Sequence, residues 1–359
     1  MKKNNRRFFS LLAAASVLML AGCAQNSASD AESTASLPQE SSAAESVESK
    51  AAAEAETKTD IKSDAETGKL RVMASFYPMY DFAVKIGGEY AEVTNMVPAG
   101  TEPHDWEPAA TDIKKLEQAD LFIYSGAGME HWAEDVLESL SKQSLVSVEA
   151  SEGITLLPGH EEEEEAHAEE QTEEHAGEEE DEHEHGAYDP HVWLSPLNAK
   201  KEMENIKNGF VKADPAHAEY YEENYTNYAA KLDALDKEFK TKLADVPHKE
   251  IVVNHEAFGY LCQAYGLTQL GISGLSPEEE PDPKKMAEIT DFVKEHSVKV
   301  IFSEELVSPK VAESVASETG ARVEVLNPLE GLSDEELAAG ADYFSVMEEN
   351  LVKLVNALS

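Results

Sequence analysis

Two stretches of alternating strand-like and helix-like segments flank one long apolar stripe. That arrangement limits the chain to a two-lobed α/β architecture more tightly than any other feature. The stripe is Tyr221, Tyr225, Tyr228, Leu232, Leu235, Phe239 and Leu243, apolar residues every three or four positions on one helix face. It opens at Asp214-Pro215, a cap residue followed by proline at the first helical position. Running to about Val246, such a helix is roughly 48 Å long at 1.5 Å per residue. That exceeds an ordinary crossover and suits a rigid connector.

Before the stripe, strand-like runs at 70–76, 91–97, 121–124 and 145–148 alternate with helix-like segments at 111–119 and 131–140, and Ser195-Pro196 starts another helix. After it, strands at 250–253, 267–272, 298–303 and 322–326 alternate with helices at 257–265, from Asp282-Pro283 and from Ser308-Pro309. A capping box, Ser333 to Glu336, precedes the terminal helix with its stripe of Phe344, Met347, Leu351 and Leu354. The rhythm predicts two (β/α) lobes with mostly parallel sheets, residues 68–213 and 247–359, joined by a single long rigid helix at 214–246.

Two other regions cannot belong to either core. Lys2, Lys3, Arg6 and Arg7 precede an apolar run from Phe8 to Ala21, which ends in Leu20-Ala21-Gly22-Cys23. Residues 1–22 therefore read as a bacterial lipoprotein signal peptide, with Cys23 lipidated as the mature N-terminus and anchored to the cell membrane. Residues 23–67, rich in Ala, Ser, Glu and Lys, read as a disordered tether. Between 160 and 187 lie fifteen acidic residues, five histidines (His160, His167, His175, His183 and His185) and no Lys or Arg. This segment reads as a loop able to bind further metal weakly, or as a solvated insertion.

Charge narrows the partners. Lys and Arg total 29 against 72 Asp and Glu, a net charge of −43, which excludes a nucleic-acid binder and a surface that docks by charge on anionic lipid. The two cysteines are too few for a disulfide framework. Cys262 reads as a small buried apolar residue.

Three histidines stand where strand-like runs give way to loops: His104, His191 and His255. Glu304 follows the strand-like run Val300-Ile301-Phe302-Ser303 in the same way. In open α/β sheets ligands bind beyond the carboxyl ends of the strands. Three imidazoles and one carboxylate make a tetrahedral set suited to Zn²⁺, placed in the inter-lobe cleft. His131, His217, His248 and His296, on helices or among charged neighbours, read as structural or surface residues.

Three motifs carry a family resemblance: Pro103-His104-Asp105-Trp106-Glu107-Pro108, Asp189-Pro190-His191-Val192-Trp193-Leu194-Ser195-Pro196 and Asn254-His255-Glu256-Ala257-Phe258-Gly259-Tyr260-Leu261. From about Leu70 onward the chain resembles the zinc/manganese-type substrate-binding proteins of bacterial ABC transporters (solute-binding protein family 9, cluster A-I). The resemblance implies two α/β lobes joined by a rigid helix and capture of a divalent metal for a membrane permease. It also implies His104, His191 and His255 as ligands. Manganese binders of this family resemble a two-histidine, two-carboxylate pattern, whose late aspartate would fall near Asn327-Pro328-Leu329 and is absent here. Zinc binders with a glutamate in the Phe-Ser-Glu-Glu-Leu region match Glu304.

The expected function is thus a monomeric, lipid-anchored extracytoplasmic receptor that delivers Zn²⁺ to an ABC permease, binding without catalysis. A manganese receptor and a surface adhesin are the alternatives. A three-histidine zinc hydrolase with Glu304 as general base is the enzyme rival, although the chain lacks the usual His-Glu-x-x-His pairing.

Overall fold

The computed structural model describes residues 68–142, 144–159 and 188–359. The signal-peptide segment 1–22, the lipidation site Cys23, the tether to residue 67 and the five histidines of 160–187 lie outside the described residues.

The first sheet forms from the strand-like runs named above. Strands β1 (Leu70–Ala74), β2 (Ala91–Asn95), β3 (Leu121–Tyr124) and β4 (Val146–Glu149) are all parallel, in the order β2-β1-β3-β4. Helices α1 (Tyr77–Gly87), α2 (Ala110–Leu116) and α3 (Ala133–Ser139) connect them. The pattern assigns no element to 77–87, yet Met79, Phe82, Ala83 and Ile86 bury one face of α1 there.

The second sheet repeats the plan. Strands β5 (Glu250–Val253), β6 (Thr268–Gly271), β7 (Val300–Ser303) and β8 (Arg322–Val325) are parallel, in the order β6-β5-β7-β8. Two parallel-sheet lobes are therefore what the alternation foretold. Parallel strands must be reached by crossovers and are covered on both faces, so β1, β3, β5 and β7 are nearly pure apolar runs.

Helix α4 (Pro196–Ala213) packs on the first sheet, and the long helix α5 (Ala218–Leu243) leads from it to the second lobe. A one-turn 3₁₀ helix at Pro215–His217 separates them, so α5 spans about 39 Å rather than 48 Å. Tyr221, Leu232, Leu235, Phe239 and Leu243 bury the expected stripe.

Helices α6 (Gly259–Tyr265), α7 (Pro283–Glu295), α8 (Lys310–Thr319) and α9 (Asp334–Ala339) complete the second lobe with α10 (Tyr343–Leu358). The capping box starts α9 as read: Ser333 Oγ accepts from Glu336 N. The terminal helix is separate, because Gly340 at φ 83° closes α9 and Asp342 caps α10. Helix α10 also reaches back to the first lobe. Tyr343 sets its ring edge on Phe82 at 5.0 Å, and Asp342 lies 3.1 Å from Lys85 Nζ. One continuous apolar cluster then runs from Val72 and Phe76 through Phe210 and Phe239 to Phe302 and Leu351, so the lobes share a core. Cys262 is buried within it, and burial pushes its thiol up, which leaves it unreactive.

Candidate metal centre

Four side chains from four loops converge between the lobes. His104 sits in the long loop after β2, where Trp106 N donates to Pro103 O and both Glu102 carboxylate oxygens accept from His104 N at 3.1 Å. His191 precedes a one-turn 3₁₀ helix, Val192–Leu194, that leads into α4. His255 follows β5 by two residues. Glu330 lies in the loop beyond β8.

Their metal-binding atoms lie within 4.8 Å of one another. His104, His191 and His255 place Nε2 at 3.1, 3.0 and 3.1 Å from Glu330 Oε1. His191 Nε2 lies 3.3 Å from that of His104 and 3.2 Å from that of His255. A tetrahedral ion with bonds of about 2.0–2.1 Å has ligand atoms about 3.3 Å apart, so these separations fit one small tetrahedral cation. His191, His255 and Glu330 are buried, while the His104 side chain keeps 11% exposure and marks the open side.

Carboxylates fix two of the imidazoles from behind. Asp189 Oδ1 accepts from both His191 N at 2.9 Å and His191 Nδ1 at 2.8 Å, which directs Nε2 into the cluster. Glu304 Oε1 accepts from His255 N at 3.1 Å and lies 2.7 Å from His255 Nδ1, at ion-pair distance but off hydrogen-bond alignment.

The charges show what the cluster wants. Burial would raise Glu330, but the neighbouring His255 charge and hydrogen bonds from three imidazoles hold it well below the usual carboxylate range. Burial also works against charge on His255, yet Glu304 and Glu330 outweigh it and hold this imidazole well above its ordinary value. His191 is raised in the same way, with the bonds to Asp189 and Glu330 outweighing burial. His104 is lowered, since burial dominates there. Burial and the charge of Glu330 push Glu102 up to about 7. One acidic centre thus draws positive charge into a buried pocket, a demand that protons or a divalent cation can meet.

The structure brings His104, His191 and His255 together and differs from the sequence reading at the fourth place. Glu304 is outside the cluster of four, on the Nδ1 side of His255, and Glu330 stands where it was expected. The reason is geometric: an imidazole bound through Nε2 turns Nδ1 away, so a carboxylate on Nδ1 cannot also reach the ion. Glu330 directly follows Asn327-Pro328-Leu329, the stretch in which the missing aspartate was sought.

Its loop is pinned hard. Asn350 Oδ1 accepts from Asn327 N at 3.1 Å, Asn350 Nδ2 donates to Asn327 O at 2.7 Å, and Asn327 Oδ1 accepts from Leu329 N at 2.7 Å. Leu329, fully buried, is held at φ 61°, a conformation that costs a bulky residue energy and persists only when its surroundings dictate it. Trp193 Nε1 donates to Pro328 O at 2.8 Å, and Gly100 N donates to Leu332 O at 3.1 Å, so this loop is tied to the His191 and His104 segments.

The four remaining histidines of the described residues lie elsewhere. His217 stacks on Tyr90 at 3.8 Å and pairs with Asp214, His296 stacks on Phe292 at 4.1 Å, His131 lies 3.7 Å from Glu107, and His248 N donates to Leu358 O.

A family model described as zinc-uptake complex component A, periplasmic, matches residues 72–357. The high-affinity zinc uptake system protein ZnuA of Bacillus subtilis is 46% identical over 296 residues, 82% of this chain and 90% of that protein. The zinc-binding lipoprotein AdcA of Streptococcus pneumoniae is 42% identical over 287 residues, 80% of this chain but 55% of the longer AdcA. The crystal structure of the Zn(II)-bound ZnuA-like domain of that AdcA superposes with a TM-score of 0.68 at 37% identity, covering 81% of this chain and 99% of the domain.

Proposed function

The chain belongs to the periplasmic zinc-uptake complex component A family, and from that membership we propose that it is the zinc-capturing receptor of a bacterial ABC uptake system. Zinc is the cargo, held by His104, His191, His255 and Glu330. The observation that carries this reading is the convergence of three Nε2 atoms on one carboxylate oxygen at 3.0–3.1 Å. Three nitrogens and one oxygen favour Zn²⁺ over Mn²⁺, which prefers oxygen. Four protein ligands close the tetrahedron and leave no position for an activated water, so the role is binding and release rather than catalysis. Asp189 and Glu304 act behind the ligands, orienting the His191 and His255 rings.

The same reading includes the remaining parts of the chain. Residues 1–22 direct export, and lipidated Cys23 with the tether to residue 67 holds the monomeric receptor outside the membrane, within reach of the permease. The lobes (68–213 and 247–359) and the connecting helix (214–246) form the capture unit. His160, His167, His175, His183 and His185 collect further zinc weakly.

Protein purified without added metal and titrated with zinc against a competing chelator tests the centre. One tight zinc per chain is expected, lost in His104→Ala and Glu330→Ala. Tight binding retained in both variants would overturn the assignment. Calorimetry after deletion of 160–187 tests the loop: the weak zinc should disappear and the tight site remain, and unchanged stoichiometry would sink the auxiliary role.

A further inference from the structure

The segment bearing His191 is clamped from the second lobe by a hydroxyl that touches no metal ligand. Tyr260 stands on α6, five residues after His255. Its hydroxyl oxygen accepts from Leu157 N at 3.0 Å, and its proton is donated to Asp189 O at 2.8 Å. With the Leu157 N–H occupying one side of the oxygen, the O–H has a single direction, toward the Asp189 carbonyl.

Asp189 is the residue that orients His191. Its N–H donates to Leu157 O at 3.0 Å, its carbonyl receives Tyr260, and its Oδ1 receives both His191 N and His191 Nδ1. The backbone of Asp189 is thus bonded on both sides of its side chain, and the residue is buried. Helix α6 also approaches as closely as glycine allows, since a Cβ at Gly259 would lie 2.3 Å from Asp189 Oδ2. The carboxylate therefore has little room to turn, and Tyr260 secures the peptide that carries it.

We infer that Tyr260 is a positioning residue for zinc capture, holding the His191 imidazole in line through Asp189 and locking it to the helix that follows His255. The inference rests on the zinc-receptor reading of the centre. A ring nitrogen presented to a metal takes its direction from the hydrogen bond at the other nitrogen, so a loosened Asp189 misaligns Nε2 while the fold stands.

Tyr260→Phe removes the hydroxyl and keeps the ring. Tyr221→Phe is the control, because Tyr221 donates to Asp214 at 2.8 Å and touches neither the four donors nor Asp189. Zinc affinity by chelator competition, the visible spectrum of the cobalt(II)-loaded protein and the melting temperature are read for both. Tyr260→Phe should bind zinc about 3–10-fold more weakly, below the full loss of an outer partner, with an altered cobalt spectrum. Tyr221→Phe should match wild type in affinity and spectrum at a comparable melting temperature.

Wild-type affinity and spectrum in Tyr260→Phe would overturn the inference, as would equal losses of affinity in both variants in step with stability. Should Tyr260→Phe be unstable, its cobalt(II) spectrum is taken with an osmolyte that restores folding: an altered spectrum in the folded variant supports the inference and a wild-type spectrum refutes it. Absence of tight zinc from wild type would instead strike the receptor reading itself.

Discussion

Both sheets place their first and third strands side by side at the centre, and both therefore open a crevice beyond those two strand ends. In the first lobe the ends carry Ser75 and Ser125, and Glu130 bridges them. Its Oε1 accepts from Ser75 Oγ at 2.5 Å and Ser125 N at 2.9 Å, and its Oε2 from Gly126 N at 3.0 Å. In the second lobe Glu304 directly follows β7 as Ser125 follows β3, and it bridges to His255, two residues past the end of β5. The first bridge is closed on itself. The second presents a nitrogen outward, and the cluster of three imidazoles and Glu330 gathers there. One topology thus supplies two equivalent crevices, and side-chain chemistry decides which becomes a knot and which a site. The first lobe contributes its member of the cluster, His104, from the loop of its edge strand instead.

Substitution at these paired positions tests the contrast. The largest effect is expected in His255→Ala, which should weaken zinc binding beyond the roughly 10–100-fold that outer-shell changes cause, while Ser75→Ala leaves affinity alone. Equal affinities by chelator competition would erase the distinction between the crevices.

The bridging carboxylates should separate next. Glu304→Gln is expected to cost about 10–100-fold in zinc affinity. Glu130→Gln should leave affinity within about twofold but destabilise the fold by about 1–3 kcal/mol, because its amide nitrogen would face a backbone N–H left without an acceptor. Chemical denaturation beside the titration reads both.

Acid should act on the second crevice first. His191 and His255 are held above the ordinary imidazole value in the metal-free protein, so protons compete with zinc from higher pH than for free imidazole. Apparent affinity should fall by about 10–100-fold between pH 7.5 and 6.5, since each of the two displaced protons contributes up to tenfold per unit. Affinity flat across that range would contradict the protonation pattern.

The smallest effect belongs to Glu202 on α4 in the first lobe. It is fully buried, both its oxygens lack hydrogen-bond partners among the described residues, and burial with the charge of Glu130 pushes it well above the usual carboxylate range. The neutral acid is the folded form, so stability is complete below the unfolded carboxylate value and declines as pH rises toward the folded one. Glu202→Leu should remove that decline and raise stability at pH 8 by about 1 kcal/mol, with zinc affinity unchanged. A melting-temperature profile parallel to wild type from pH 5 to 8 would show that Glu202 carries no such penalty.

The eight strands of the described residues were legible, the central β1, β3, β5 and β7 as short apolar runs that have few alternatives in a buried parallel sheet and the edge strands by their place in the alternation. Asp282, whose side chain accepts from Lys285 N at 2.7 Å, and Ser333 were readable for a local reason, since a cap needs only its own first turn. Helix α1 escaped because the extended Phe76 at its start makes no side-chain capping bond, so no cap residue announces it. Within the site, the three histidines were visible as loop residues near strand-like runs. Glu304 drew attention for the same reason, sitting directly after β7, whereas Glu330 lies past an irregular loop with no period to read.

The two parallel sheets, the long helix and a supply of imidazole sufficient for a metal are all written along the chain. Those follow from local hydrophobic period, turn chemistry and residue type. Which carboxylate faces the cluster and which stands behind it depends on long-range packing. Glu330 reaches the imidazoles through a buried Leu329 at positive φ and a loop fastened by Asn350 and Trp193, contacts made across 23 and 135 residues of chain. Such contacts leave no local signature, because their energy exists only after the lobes have packed.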